Sequence, residues 1–445
     1  SVEPLARQAC ERKLSEVYAG DGLASASGAQ APELSSQLDD LIDHMPAAAD
    51  LLETEDDAPI IRLINGLIAE AVRLGASDIH VEPYETALTV RLRVDGVLRE
   101  VLSLPVRLAS LIVSRIKVMA RLDIAEKRIP QDGRISLTLG GKTFDVRVST
   151  LPSRAGERVV MRILDKEQAS LKLDELGMTR STLASFEAAL SQPNGIILVT
   201  GPTGSGKTTT LYAGLAVLND STRNILTIED PVEYAVAGVG QTQVNPKVGM
   251  TFAAGLRAIL RQDPDIVMVG EIRDAETAQI GVQASLTGHL VLSTVHTNDA
   301  VGAITRLRDM GVEPFLLAST LRLIIAQRLV RKLCLACRKP EIADGAFARL
   351  AGVDAGTRLY RAAGCPKCND TGYRGRVGIY EAVQVDDRVR RLIGERASED
   401  EITQAAFSAS QSLNEAARAV VLAGVTTVEE ALRVTRHEMN GHGQA

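Results

Sequence analysis

The densest chemistry in this 445-residue chain lies in "GIILVTGPTGSGKTTTLYAGL", where Gly201, Pro202, Thr203, Gly204, Ser205, Gly206, Lys207, Thr208 and Thr209 form a glycine-rich loop with a strand before it and a helix after it. Glycines let backbone N–H groups close around phosphates, and the helix N-terminus adds positive potential. Lys207 is placed to reach the β- and γ-phosphates of a nucleoside triphosphate, and the Thr208 hydroxyl to bind Mg²⁺. Hydrolysis also needs a group that orients the attacking water. "DPDIVMVGEIRD" supplies a second buried strand ending at Glu271, with Gly270 where many phosphate-loop enzymes carry a further acid. Glu271 is therefore the candidate base or metal organiser, with Glu229 and Asp230, closing "NILTIED", as the acids that compensate.

Two of the six histidines flank a third apolar run, "HLVLSTV". In a parallel sheet, ligands gather at the carboxyl ends of the strands. His296 follows the run, on the phosphate side, and is the candidate sensor of a γ-phosphate. His289 begins it, at the opposite end, and reads as a structural residue.

These motifs need elements to hold them. "GIILVT", "NILTIED", "DIVMVGE" and "HLVLSTV" are continuous apolar runs alternating with helical stretches, the pattern of a parallel sheet covered on both faces. Upstream, Ile60, Ile64, Leu67, Ile68, Ala71 and Val72 recur at helical spacing between Pro59 and Gly75. "LTVRLRVDGVL" and "ISLTLGGKTFDVRVSTL" then alternate as hairpins do, over turns at Asp95-Gly96 and Gly140-Gly141, with a helix near 105 to 120 between them. The expected organisation is a flexible acidic segment over 1–58, a small α+β domain over 59–165, an α/β nucleotide domain over 166–330, a cysteine module over 331–378 and a helical region over 379–445. Between Lys13 and Arg62 there is no Lys or Arg, while eleven acids fall there. That segment reads as a solvated tether or as a docking surface for a basic partner.

The cysteine module holds "CLAC" (Cys334, Cys337) and "CPKC" (Cys365, Cys368), two tight turns with 27 residues between them. Each turn offers two thiolates, and two turns complete a closed tetrahedral site, so structural Zn²⁺ is favoured over a redox dithiol. Composition narrows the function classes. Hydrophobic residues make up 45%, aromatics 3%, and the net charge is −6. A basic run, Arg322, Arg328, Arg331, Lys332, Arg338 and Lys339, raises a nucleic-acid motor as an alternative. The acidic balance and the scarcity of stacking aromatics count against it, and no nucleic acid is expected. No stretch of 18 or more apolar residues occurs, so the chain is expected in the cytoplasm, without a span of its own.

Taken together, "GPTGSGKTTTLY", "ILTIEDPVEY", "IVMVGEIRD", "TGHLVLSTVHTN", "ASDIHVEP" and "RIPQDGRI" resemble the secretion ATPase superfamily, most closely the type II secretion ATPases, with the type IV pilus assembly ATPases as near relatives. The resemblance covers the chain from about residue 59 onward, and the missing acid at Gly270 is normal for that family. It implies a RecA-like ATPase domain preceded by a PAS-like α+β domain, a zinc-binding insert and a helical C-terminal region. It also implies a hexameric ring with ATP between the first two domains, at which Arg147, Arg162, Arg257 and Arg261 face the phosphates; Arg91 and Arg93 are weaker candidates. Residues 1 to about 45 resemble the end of the domain by which this family docks on an inner-membrane anchor protein, placing the ring peripherally on the cytoplasmic face of that membrane. The implied activity is ATP hydrolysis coupled to assembly of a pseudopilus and to protein export.

Overall fold

A computed structural model describes residues 58–139, 142–165, 172–408 and 410–435. The acidic segment and the expected Gly140-Gly141 turn lie outside these residues. The chain divides into two compact units between residues 166 and 167.

The first unit opens with α1 (Ala58–Arg73), followed by β1 (Ala76–Pro83), β2 (Ala87–Val94), β3 (Val97–Pro105), α2 (Ala109–Met119), β4 (Gln131–Leu139), β5 (Lys142–Ser153) and β6 (Gly156–Asp165). The strands form one sheet in the order β3-β2-β1-β6-β5-β4, every neighbour antiparallel. Asp95 and Gly96 both take positive φ, 49° and 83°, which a tight two-residue hairpin requires. Alternation does the rest. Ile79, Val81, Val90, Leu92, Val146, Val148, Val159 and Met161 bury one face with Ile60, Leu63, Ile64, Leu67 and Ile68 of α1 and Ile112 and Ile116 of α2. The opposite face is charged. Arg93, Asp78, Arg162, Arg147 and Arg134 stand at successive cross-strand positions, one per strand.

The second unit carries α3 (Arg180–Leu190), β7 (Gly195–Thr200), α4 (Lys207–Leu218), β8 (Ile225–Glu229), β9 (Gly240–Gln243), α5 (Phe252–Ile259), β10 (Ile266–Val269), α6 (Ala275–Leu286), β11 (Leu290–Val295), α7 (Ala300–Asp309), α8 (Pro314–Thr320) and β12 (Leu321–Leu333). There follow β13 (Lys339–Ile342), α9 (Gly345–Ala351), β14 (Arg358–Arg361), β15 (Tyr373–Gln384), α10 (Asp387–Gly394), α11 (Glu399–Ala406), α12 (Leu413–Leu422) and α13 (Val428–Thr435). The main sheet runs β15-β12-β7-β11-β10-β8-β9. All its pairs are parallel except β15 with β12. Every residue of β7, β10 and β11 is buried, because helices cover both faces. Ile197, Val199, Leu323 and Ile325 pack toward α3 and α4. Ile196, Leu198, Ile324 and Ala326 pack toward α6, α7 and α8. The helices start where the sequence caps them, at Asp274, Asp299 and Ser412, whose side chains accept the N–H of the third following residue.

The sequence boundaries at 330/331 and 378/379 fall inside strands. β12 continues to Leu333, and "YRGRVGIYEAVQ" pairs along it, burying Ile379 and Val383, so the cysteine module is an excursion between two strands of the main sheet. Among the described residues, no helix is long and apolar enough to cross a membrane.

One ion pair fastens the C-terminal helices to this sheet. Glu430 of α13 is buried and bonds Arg331 at 2.8 Å and Arg433 at 2.7 Å. Burial opposes its charge, yet hydrogen bonds from Arg433 and Arg331 hold its carboxyl down to about 2, against an ordinary value of 4.5. A depressed carboxylate pKa contributes stability above the unfolded value that is lost as pH falls through the folded one. Here that window runs from about 4.5 to 2, and the contribution is about 3 kcal/mol at neutral pH. Glu430→Gln is expected to unfold at lower urea than the parent at pH 7, with the gap in free energy about halved at pH 3. A gap that stays constant with pH would show that the charge is not what Glu430 contributes.

Candidate nucleotide site

The phosphate loop joins the carboxyl end of β7 to α4. Gly201 and Gly206 adopt φ of 143° and 89°, and there is no space for side chains. A Cβ on Gly201 would lie 2.4 Å from the Gln327 carbonyl oxygen, and one on Gly206 2.7 Å from Gln327 Nε2. Gln327, on β12, also accepts the Thr210 hydroxyl at 2.7 Å, so the loop rests against the neighbouring strand. Ser205 and Lys207 are buried, Thr209 is half-buried, and Pro202, Thr203, Gly204 and Thr208 are exposed at the mouth. Lys207 Nζ donates to the carbonyls of Gly201 at 2.8 Å and Pro202 at 3.0 Å. Burial pushes its pKa down to about 8, against the opposing charge of Glu271 and with the help of Arg328. A buried ammonium at a helix N-terminus is arranged for an anion.

Glu271 follows β10 by two residues and is 14% exposed. Its Oε2 lies 3.1 Å from His296 Nε2, and its other oxygen pairs with Arg273. Adjacent parallel strands make this meeting possible. β10 and β11 pair through Val269 and Ser293, so the residues leaving both strands emerge side by side. Thr297, next to His296, exchanges hydrogen bonds with Thr200 at the end of β7, its N–H to Thr200 Oγ1 at 3.0 Å and hydroxyl to hydroxyl at 2.6 Å. The imidazole's loop is thus pinned beside the phosphate loop. Lys207, Glu271 and His296 gather at the carboxyl edge of one sheet.

Arg273 did not emerge from sequence reasoning. It pairs with Glu271, lies 3.5 Å from Asp230 and sits 5.7 Å from the Phe252 ring centre. The available signal was its position, two residues after the glutamate in "GEIRD". Glu229 has a different setting from the one expected. Its buried carboxylate accepts from Tyr212, Thr227 and Gln241, so it organises the end of β8, and Asp230 is the acid that reaches Arg273. Gly270 lies close against the neighbouring strand. A Cβ there would meet Glu229 Cα at 3.3 Å and the Ile228 carbonyl oxygen at 3.4 Å, so any side chain at this position fits tightly against the end of β8.

The remaining candidates have partners of their own. Arg257 pairs with Glu276, and Arg261 donates to the Arg257 carbonyl at 3.0 Å; both are exposed around α5. Arg162 bonds Asp78 at 2.8 Å in the charged row of the first unit, with Arg147 directly across from it. His289 bonds the Ala284 carbonyl at 2.8 Å through Nδ1, closing the turn after α6 at the far end of the sheet.

The four cysteine sulfurs converge within 4.8 Å of one another. Cys334 and Cys365 are 3.9 Å apart, Cys337 and Cys368 3.8 Å, and Cys365 and Cys368 3.7 Å. Four thiolates ~2.3 Å from a tetrahedral Zn²⁺ would be ~3.8 Å apart. A set of near-equal separations fits one tetrahedral ion, whereas a disulfide would draw two sulfurs to about 2 Å. Backbone N–H groups of Cys365 and Gly372 point at Cys368 Sγ, at 3.3 and 3.2 Å, and so stabilise negative charge on it. Metal analysis is expected to find about one zinc per chain. Joint replacement of Cys334 and Cys365 by Ser should abolish it and lower the unfolding midpoint by about 5 °C or more. Metal-free protein of undiminished stability would refute a structural ion.

A glycine-rich loop at the carboxyl edge of a parallel sheet, with a lone glutamate after the second strand over, is an arrangement that suits an ATPase. The chain belongs to the family described as Type II/IV secretion system protein, whose model matches residues 53–433. It is 60% identical over 441 residues to a "Type II secretion system protein E" of Pseudomonas aeruginosa, covering 98% of this chain and 88% of that one. It is 58% identical to the "Type II secretion system ATPase E" of Vibrio cholerae, covering 96% and 85%. Among solved structures, the crystal structure of the pilus retraction motor PilT with bound ADP matches with a TM-score of 0.57 at 27% identity, covering 83% of this chain and 95% of that one. The chain is an ATPase of this secretion family.

Proposed function

We propose that this protein is a homohexameric motor on the cytoplasmic face of the inner membrane, which hydrolyses ATP to drive pseudopilus assembly and protein export through a type II secretion system. The observation that carries the reading is the 3.1 Å contact between His296 and Glu271 at the sheet edge that also holds Lys207. In this reading the Lys207 ammonium and the N-terminus of α4 bind the β- and γ-phosphates. Glu271, held by Arg273 and His296, orients and deprotonates the attacking water, and His296 registers the terminal phosphate. Thr208 would hold Mg²⁺, which when bound neutralises phosphate charge. Glu229 fixes the end of β8, and Arg147, Arg162, Arg257 and Arg261 neutralise charge on the phosphates. Cys334, Cys337, Cys365 and Cys368 hold a structural Zn²⁺ that closes the excursion between β12 and β15. Recruitment to the membrane passes through an anchor protein bound by the N-terminal region.

The type IV pilus assembly ATPase is the second reading, favoured by the likeness to the PilT motor. Deletion of the gene separates the two. Lost protein export with intact pili supports the secretion motor, and lost pili with normal export overturns it.

A further inference from the structure

Two further buried charged side chains stand on one face of β12 and β15. Glu381 of β15 is 4% exposed. One of its oxygens accepts the N–H of Ala300 at 2.7 Å, and the other accepts the N–H of Leu413 at 2.9 Å. Ala300 opens α7, immediately after the 296–299 loop that carries His296, and Leu413 opens α12. Arg328 of β12 is 5% exposed. Its Nη2 donates to the Asn298 carbonyl at 2.8 Å and its Nε to the Val434 carbonyl at 3.3 Å, in α13. Glu381 stands across from Ala326, two residues before Arg328, so both project to the same side of the sheet.

An anion and a cation on adjacent strands therefore span the same two parts of the fold. Each reaches the C-terminal helices on one side and, on the other, the His296 loop (Arg328) or the first residue of the helix that follows it (Glu381). A carboxylate at the first N–H of two helices gains from both macrodipoles, and a buried guanidinium needs its carbonyls. Movement of α12 or α13 away from the loop would strip partners from buried charges, so the loop and the helices move together or not at all. The Thr200–Thr297 contact fixes the loop only on its phosphate side.

We propose that Glu381 and Arg328 are positioning residues that tie the His296 loop, through β15 and β12, to α12 and α13, and so set how His296 meets Glu271. The inference rests on the reading of His296 as the γ-phosphate sensor. It gives the C-terminal helices a task beyond covering the sheet: they help to hold the loop that carries His296.

The test is steady-state ATP hydrolysis by the full chain, with kcat normalised to the number of nucleotide sites titrated by ADP. His296→Ala, Glu381→Gln, Arg328→Lys and the double variant His296→Ala/Glu381→Gln are compared. Glu381→Gln sets an amide N–H₂ against one of the two helix N–H groups. Arg328→Lys keeps the charge and the apolar stem but cannot reach both carbonyls, so it carries the test if Glu381→Gln does not fold. Each single variant is expected to lose about tenfold in kcat, with the KM for ATP within about twofold of the parent. The double variant should be no slower than His296→Ala alone, because both changes act through one loop. Losses that multiply in the double variant, or parental kcat in both Glu381→Gln and Arg328→Lys beside a slow His296→Ala, overturn the inference and leave the sensor reading intact. Parental kcat in His296→Ala overturns the sensor reading and the inference together.

Discussion

Lys207→Ala is expected to abolish ATP turnover, by at least about a thousandfold, while leaving the protein folded. The two halves of this expectation come from the same geometry. Lys207 is the first residue of α4, buried, with its ammonium at the floor of the phosphate loop. Nothing else in the loop carries a positive charge, so without Lys207 the loop itself would offer a triphosphate only N–H dipoles, and nucleotide affinity should fall as well as turnover. Stability should behave differently. Burial pushes the Lys207 ammonium down to about 8, which means that the fold holds this charge at a cost. Alanine removes that cost along with two hydrogen bonds to loop carbonyls, and the two changes oppose one another. The unfolding free energy of nucleotide-free protein is therefore expected within about 1 kcal/mol of the parent. A side chain kept for packing would show the reverse pattern, a lower unfolding midpoint with turnover per folded molecule unchanged. Calorimetry with ADP and a coupled hydrolysis assay on the same preparation separate the two outcomes. A parental hydrolysis rate in Lys207→Ala would remove the phosphate loop from the site.

What the sequence discloses of this site depends on how far apart the participating residues lie along the chain. The phosphate loop was legible because its chemistry demands contiguous residues: strand, glycines, lysine, hydroxyl and helix follow one another within 21 positions of "GIILVTGPTGSGKTTTLYAGL". Glu271 and His296 could each be placed at the carboxyl end of a strand from the apolar run before it. That they touch could not be read, because contact requires β10 and β11 to be neighbours, and strand order is a property of packing rather than of local pattern. Glu229 shows the same limit from the other side. Its position at a strand end suggested a free acid, yet Tyr212 and Gln241, distant in sequence, supply donors that occupy it. Arg273 was hidden by its abundance as a residue type, since an exposed arginine after a strand usually has no task. The strand Tyr373–Gln384 was missed because its pairing with β12 crosses the whole cysteine excursion, and helices follow directly after it. The first unit was easier. Alternation over short hairpins reports its own buried face, and the Asp95-Gly96 turn carries the positive φ values that only such residues take readily.

Glu271→Gln should separate binding from chemistry, and this is the sharper test of the site. The substitution keeps the side-chain volume and one acceptor oxygen but removes the charge that both Arg273 and His296 address. A carboxylate acting as general base contributes on the order of 10²–10⁴ to the rate, so kcat is expected to fall by about that factor. Affinity for ATP should change little, because Lys207 and the N-terminus of α4 remain in place. Retained binding with lost hydrolysis is the signature of a group used only in the transition state. The two partners of Glu271 make a further distinction possible. If Glu271 served only as a structural anchor, its neutral isostere would leave Arg273 without the carboxylate it pairs with and weaken the contact to His296, and the midpoint of unfolding would fall in step with the rate. If it acts on water, the rate falls far more than stability does. Single-turnover hydrolysis of bound ATP reads the chemical step without product release. A parental single-turnover rate in Glu271→Gln would transfer the role of base to another acid, and Asp230, 3.5 Å from the same arginine, would be the residue to change next.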